Sequence, residues 1–255
     1  MKYNKLIIGG CSFVAEIHDA EDIVRNTHPE YVKNLIKKYP NKNSHEIREI
    51  TEYSNIFLHN YKESMWKYFL HSYLGIPLVD LSKGGRSNPK IFSDVINYLI
   101  ENDNETNNLI IIGTTALNRI SRWSEIEQDY VDLHLKDFDE EDIGTYKKLY
   151  LKYFHDDDAL LREVQNNINL LSYISKKQNH KLLIFDNLMF SMMNEFNDPI
   201  KKNNFLKKNK DNLLFFKDDI FCYPEFIQSY DSNYKLSHPN RVDHKIFFDI
   251  IKDKI

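Results

Sequence analysis

The chain has 255 residues, 42% of them hydrophobic and 28% charged, with a formal net charge of −4. This length suits one large domain with insertions, or two small ones, and the charge gives no reason to expect nucleic acid as the main partner. No apolar run reaches the ~18 residues of a membrane helix, and two cysteines, Cys11 and Cys222, are too few for a disulfide framework.

The first element is "KLIIGG" (5–10), an apolar run that reads as a buried strand and ends on two glycines, Cys11 and Ser12. No basic-apolar-small signal pattern precedes it, so the expectation is a cytoplasmic protein. Its Lys-, Asn- and Ile-rich composition fits an AT-rich bacterial or viral genome. Residues 14–59 mix polar and helical sequence and lead into a helical pattern at 60–73. "IPLVDLS" (76–82) is the second apolar run, followed by "SKGGRSN". Residues 88–102 place Ile91, Val95, Tyr98 and Leu99 on one helical face, with Pro89 near the start as a helix favours.

"NLIIIGTT" (108–115) is the third run. Beyond it, 116–158 is acidic: between Glu125 and Asp158 there are 12 acids and 4 bases. A helix over 156–178 begins with acids and ends with Lys176 and Lys177, which suits its dipole. "HKLLIFDN" (180–187) and "NLLFFK" (212–217) are the fourth and fifth runs. The Lys/Asn-rich stretch 199–212 reads as a solvated loop or frayed helix, and "NRVDHKIFFDIIKDKI" as a closing amphipathic helix.

Continuous apolar runs without alternation imply strands covered on both faces, as in a parallel sheet. Alternation with helices implies a doubly wound α/β fold. The expectation is one three-layer α/β/α domain over 1–255. It has a central five-stranded, mainly parallel sheet and helical insertions at about 14–70 and 116–158.

Ligands of such sheets collect at the carboxyl ends of the strands. Those ends offer Ser12 after the first run and Gly84, Gly85, Arg86, Ser87 and Asn88 after the second. Thr114, Thr115, Asn118 and Arg119 follow the third, and "SHPNRVDH" near the C-terminus brings His238 and His244. A serine hydroxyl needs a base to take its proton, and histidine titrates near neutral pH. A developing oxyanion needs aimed donors, which glycine-turn N–H groups and small polar side chains supply. Read as structure alone, Ser12 is a helix N-cap, the glycines are turn residues and Cys11 is a small buried hydrophobe. Arg86 and Arg119 pair with surface acids or line a cleft favouring an anionic substrate. His244 caps the final helix. No His/Cys spacing supplies a zinc ligand set.

In order along the chain, these blocks resemble the SGNH (GDSL-type) hydrolases. "GGCSF" offers the family's serine as Ser12. "GGRSN" resembles its Gly-x-Ser-Asn block, so Gly85 matches. "SHPN" offers the late histidine as His238, before Pro239. The third block reads "GTTALN", with Thr115 where the family has an asparagine and Asn118 three residues on. Lys235 stands three before His238, where the family has an aspartate, and lysine has no acceptor for an imidazole N–H. Asp231, Asp243 or a backbone carbonyl is left to orient His238.

The resemblance implies a flavodoxin-like SGNH fold and a serine esterase that needs no metal or organic cofactor. Ser12, His238 and Asp231 would be catalytic. Gly85, Thr115, Asn118, Asn88 and Arg119 would hold the oxyanion and the substrate, an acyl ester of a small molecule, lipid or glycan. The departures at 115 and 235 motivate the alternative of a catalytically weak or inactive binding protein of the same fold. Phosphate binding at Gly9–Gly10 is a third option, but "GGCSF" lacks both Gly-x-Gly-x-x-Gly and a Walker lysine.

Overall fold

A computed structural model describes residues 2–11, 29–41, 65–117, 119–124, 129–134, 156–187, 199–216, 222–230 and 241–255. Four apolar runs form strands: β1 (Leu6–Gly9), β2 (Leu78–Asp80), β3 (Leu109–Gly113) and β6 (Lys181–Phe185). All pair in parallel in the order β2-β1-β3-β6. The molecule is therefore an α/β protein with a parallel sheet, as the uninterrupted apolar runs predict.

The fifth run behaves differently. Leu213 makes a single parallel bridge to Ile184, and Cys222 makes another to Asp186. "NLLFFK" thus contributes one bridge residue, and a second segment takes over beside the end of β6. Phe215 and Phe216 have left the ladder, and Phe216 packs instead on Phe185, Tyr223 and Phe226.

Helices follow the strands in sequence: α3 (Asn88–Glu101) and α4 (Asp157–Lys177), as expected, and α5 (Pro199–Asn209). Ser87 caps α3 by accepting the Lys90 N–H, and Pro89 lies in its first turn. Asp156 caps α4 by accepting the N–H groups of Asp158 and Ala159. Ile91, Val95 and Leu99 of α3 and Val164, Ile168 and Leu171 of α4 join Ile7, Ile110, Ile112, Leu182 and Ile184 in one core. Residues of opposite parity, Leu6, Ile8, Leu109 and Ile111, are also fully buried. The sheet is therefore covered on both faces. Gly9 permits the close approach of α3: a Cβ there would lie 2.8 Å from Val95 Cγ2.

The acidic stretch 116–158, expected to be helical, holds an antiparallel pair, β4 (Arg119–Ser124) and β5 (Asp129–His134). Its register sets Ile120 opposite Leu133 and Trp123 opposite Tyr130. Such aromatic and β-branched pairs favour strands over helix. The Lys/Asn-rich stretch 199–212 is helical as α5, anchored by buried Phe205 and Asn209.

Packing divides the chain into two compact units: 1–15 with 76–234, which holds the sheet, and 16–75 with 235–255. In the second unit lie α1 (Pro29–Lys38), α2 (Trp66–Leu74) and α7 (Arg241–Lys252). Between α2 and α7, Trp66 meets Phe247 edge-on at 4.8 Å, and Phe248 meets Phe69 and Tyr73 at 5.8 and 5.9 Å. Gly75 ends α2 in the left-handed conformation, its N–H donating to the His71 carbonyl. The short segment α6 (Tyr223–Tyr230) belongs to the sheet unit. Among the described residues, no helix is long and apolar enough to cross a membrane.

Candidate active site

Strand order reverses between β1 and β3: β2 lies to one side of β1, and β3 and β6 to the other. In open parallel sheets, ligands bind outside the carboxyl ends of the strands at this switch point. Three of the sequence blocks meet there through hydrogen bonds.

The first link joins the two glycine loops. Leu81 N–H donates to the Ile8 carbonyl (2.8 Å) and Lys83 N–H to the Gly10 carbonyl (3.0 Å). The β1–β2 ladder thus continues into both loops. Gly85 follows with φ +79°, a left-handed backbone that favours glycine, and nothing lies within 4 Å of where a Cβ would point. The turn, not crowding, requires glycine here.

The second link joins the second and third blocks. Asn88 is buried, and its Nδ2 donates to the Thr115 carbonyl (2.7 Å) while its Oδ1 accepts the Thr115 N–H (2.8 Å). A carboxamide matches a peptide group on both edges, so this pair fixes the exit of β3 against the start of α3. Thr115 is fully buried, and its Oγ1 has no hydrogen-bond partner among the described residues. Arg119 N–H donates to the Ala116 carbonyl (3.2 Å). Arg119 Nη1 is buried and likewise lacks a partner among the described residues. Arg86 pairs with Asp94 at 3.4 Å. Cys11 is fully buried in the core with Ile7 and Val95, as the reading of it as a small hydrophobe expects.

The end of β6 adds residues that the block pattern passed over. Asp186 and Asn187 are both fully buried. Thr114 N–H donates to the Phe185 carbonyl (3.0 Å), and Thr114 Oγ1 donates to Asp186 Oδ1 (2.9 Å). Neither Oδ1 nor Nδ2 of Asn187 has a partner among the described residues. The signal was present in the sequence: "FDN" closes the fourth apolar run, at the edge where ligands gather. Ser12, Asn118, Asp231 and His238 lie outside the described residues. Gly85, Asn88, Thr115 and Arg119 lie within them. Of these, Asn88 and Thr115 are joined directly.

No family model matches this chain, and no curated protein matches it. In fold, it is similar to proteins of the G-D-S-L family. One is a protein assigned to that lipolytic family from Desulfitobacterium hafniense DCB-2, 11% identical, with 99% of each chain covered and a TM-score of 0.49. Another, from Veillonella parvula DSM 2008, is 8% identical over 98% of this chain and 96% of that one, with a TM-score of 0.49. A third similar structure is the psychrotrophic esterase EstA from a Pseudoalteromonas species, inhibited by monoethylphosphonate. It is 13% identical over 98% of each chain, with a TM-score of 0.41.

Proposed function

We propose that the protein is a serine hydrolase of the SGNH type that cleaves an acyl ester of a small molecule, lipid or glycan. The observation that carries this reading is the joining of the blocks at the switch point: Gly10 to Lys83, and Asn88 to Thr115. A glycine loop, a second glycine turn and a polar strand exit can supply the aimed donors that acyl transfer uses around a nucleophile.

In this reading His238 takes the proton of Ser12, whose oxygen attacks the acyl carbon. The carbonyl electron pair moves onto oxygen, where the N–H groups of Ser12 and Gly85 receive it, helped by Thr115 or Asn118. Collapse expels the alcohol, which regains its proton from His238. Water, activated by the same imidazole, then frees the acid. Asp231 orients His238, and Arg119 lines the substrate cleft. No step calls for a metal or organic cofactor.

The test is covalent labelling with a fluorophosphonate together with turnover of short acyl esters. Labelling at Ser12, and its loss with turnover in Ser12→Ala, is the expected result. A wild-type chain that neither labels nor turns over esters overturns the reading. It would favour a binding protein of the same fold, for which Thr115 in place of asparagine speaks.

A further inference from the structure

Within the sheet unit, a groove of about 430 Å³ lies between α3 and the loop that follows β2. We infer that this groove binds a neutral carbohydrate of about disaccharide length. The assignment concerns binding alone and does not rest on the hydrolase reading.

Local sequence builds both walls. β2 ends at Asp80, whose Oδ1 accepts the Ser82 N–H (3.1 Å) and the Ser82 hydroxyl (2.5 Å). Aspartate favours such turns because its side chain bonds the backbone two residues on. The loop is tied to the sheet by the Leu81 and Lys83 N–H groups described above. On the other wall, α3 brings Asp94, Asn97, Tyr98 and Glu101 to the groove. Their spacing of three and four residues sets them on one helical face. Arg86 spans from loop to helix and reaches Asp94 at 3.4 Å, which joins the two walls.

The lining chemistry selects the ligand. Only Leu81 and the Tyr98 ring offer apolar surface, and the Tyr98 hydroxyl donates elsewhere, to Glu105 (3.4 Å). An acyl chain would gain little from burial there. Charge is balanced: Asp80, Asp94 and Glu101 stand against Lys83, Arg86 and Lys90, the last reaching Asp94 at 3.3 Å. An ion of either sign would therefore meet like charge in the groove.

A neutral ligand rich in hydroxyls meets neither objection. Each hydroxyl both donates and accepts, so one ligand can use carboxylates and ammonium groups together. Asp80, Lys83 and Glu101 are exposed. Asn97 Nδ2 donates to Ser93 (3.4 Å), which leaves its Oδ1 as an acceptor. Hydrogen bonds to ionised groups are about twice as strong as neutral ones. The C–H face of a pyranose matches Leu81 and the Tyr98 ring.

Size agrees as well. The volume falls within the range of about 300–1,000 Å³ found for small-molecule sites. From Asp94 to Glu101 the helix rises about 10 Å, at 1.5 Å per residue. That is the length of two pyranose rings joined end to end.

The experiment titrates the full chain with cellobiose, maltose and N,N′-diacetylchitobiose, read by calorimetry and by ¹⁵N amide shifts. At least one is expected to bind and to move the signals of residues 80–86 and 94–101. Its affinity is expected to hold as salt is raised to about 0.15 M, because the probe carries no charge to screen. Asn97 and Glu101 are exposed on α3, and alanine favours helix, so the double variant Asn97→Ala/Glu101→Ala is expected to keep its melting temperature. Losing two hydrogen bonds should weaken its binding about tenfold or more.

No binding of any of the three sugars overturns the assignment. Shifts confined to residues outside those two stretches overturn it too, as does unchanged affinity in the double variant. Inorganic phosphate or glycylglycine binding in the groove where the sugars do not would mark it as a site for charged ligands instead.

Discussion

At the scale of single residues, Asn88 and Gly9 carry consequences out of proportion to their size. Asn88→Ala leaves the N–H and C=O of Thr115 without partners in a buried setting. At about 1–3 kcal/mol for each orphaned group, the fold should lose about 3 kcal/mol, read as a lowered urea midpoint with unchanged slope. An unaltered midpoint would mean that the β3 exit is held some other way. Gly9→Ala sets a methyl 2.8 Å from Val95 Cγ2 and 3.6 Å from Ile91 and Ile112. Overpacking of this kind costs about 1–3 kcal/mol, so the melting temperature should fall, and pairing it with Val95→Ala should recover part of the loss. Both residues sit in blocks that were legible in sequence: glycines after a strand announce a tight backbone, and Asn88 follows a glycine turn. The use of the Asn88 carboxamide was not legible, because its partner lies 27 positions away and only the sheet order brings them together.

At the scale of elements, strength of pattern decided what could be read. The helix over 88–102 and the one over 156–178 appear as α3 and α4 within a residue at each end. Their apolar spacing, caps and end charges all agree, which is what makes an element legible. β4 and β5 are hard to read in sequence because charge dominates the stretch around them, while the register that sets Ile120 opposite Leu133 and Trp123 opposite Tyr130 exists only once the strands pair. "NLLFFK" was apolar enough for a strand, yet Phe216 is drawn off by the rings of Phe185, Tyr223 and Phe226. Aromatic packing there outcompetes further ladder bonds. The proposed pairing of Ser12 with His238 rests on block order, and both residues lie outside the described ones.

At the scale of the whole molecule, ionisable side chains at the amino end of the sheet tie stability to pH. At the amino end, Glu105 gathers Lys5, Tyr98 and Asn108, while the Asn108 N–H donates to His180 Nδ1 and Gln178 Oε1 faces His180 Nε2. Burial lowers the pKa of His180, with the Glu105 charge pulling weakly the other way. The ring is therefore neutral and accepts at Nδ1. In the unfolded chain it titrates near pH 6.5. Below that value the unfolded state binds more protons than the folded one, so stability falls as pH drops. Burial pushes the Glu105 carboxyl up, but hydrogen bonds from Lys5, Asn108 and Tyr98 outweigh it and leave it lowered. Its contribution is present above the ordinary carboxylate range and is lost as pH falls through the folded value. Both groups act in one direction. The urea midpoint should be lower at about pH 5.5 than at about pH 7.5, and His180→Gln should flatten that difference. Equal midpoints in the wild type would count against a neutral, accepting His180.

The outer flank of β6 has a different consequence. It is tied at two separate points: Leu213 holds Ile184, with Ile184 N–H donating to the Asn212 carbonyl, and the Tyr223 N–H donates to the Asp186 carbonyl. A sheet border left bare is an invitation for another chain to zip on. Two independent clasps deny that invitation more robustly than one continuous ribbon would, since slippage at one leaves its neighbour shut. The border at β2 is protected by brevity, three residues ending on an exposed aspartate. Among the described residues, ribbon addition therefore finds little purchase at either margin.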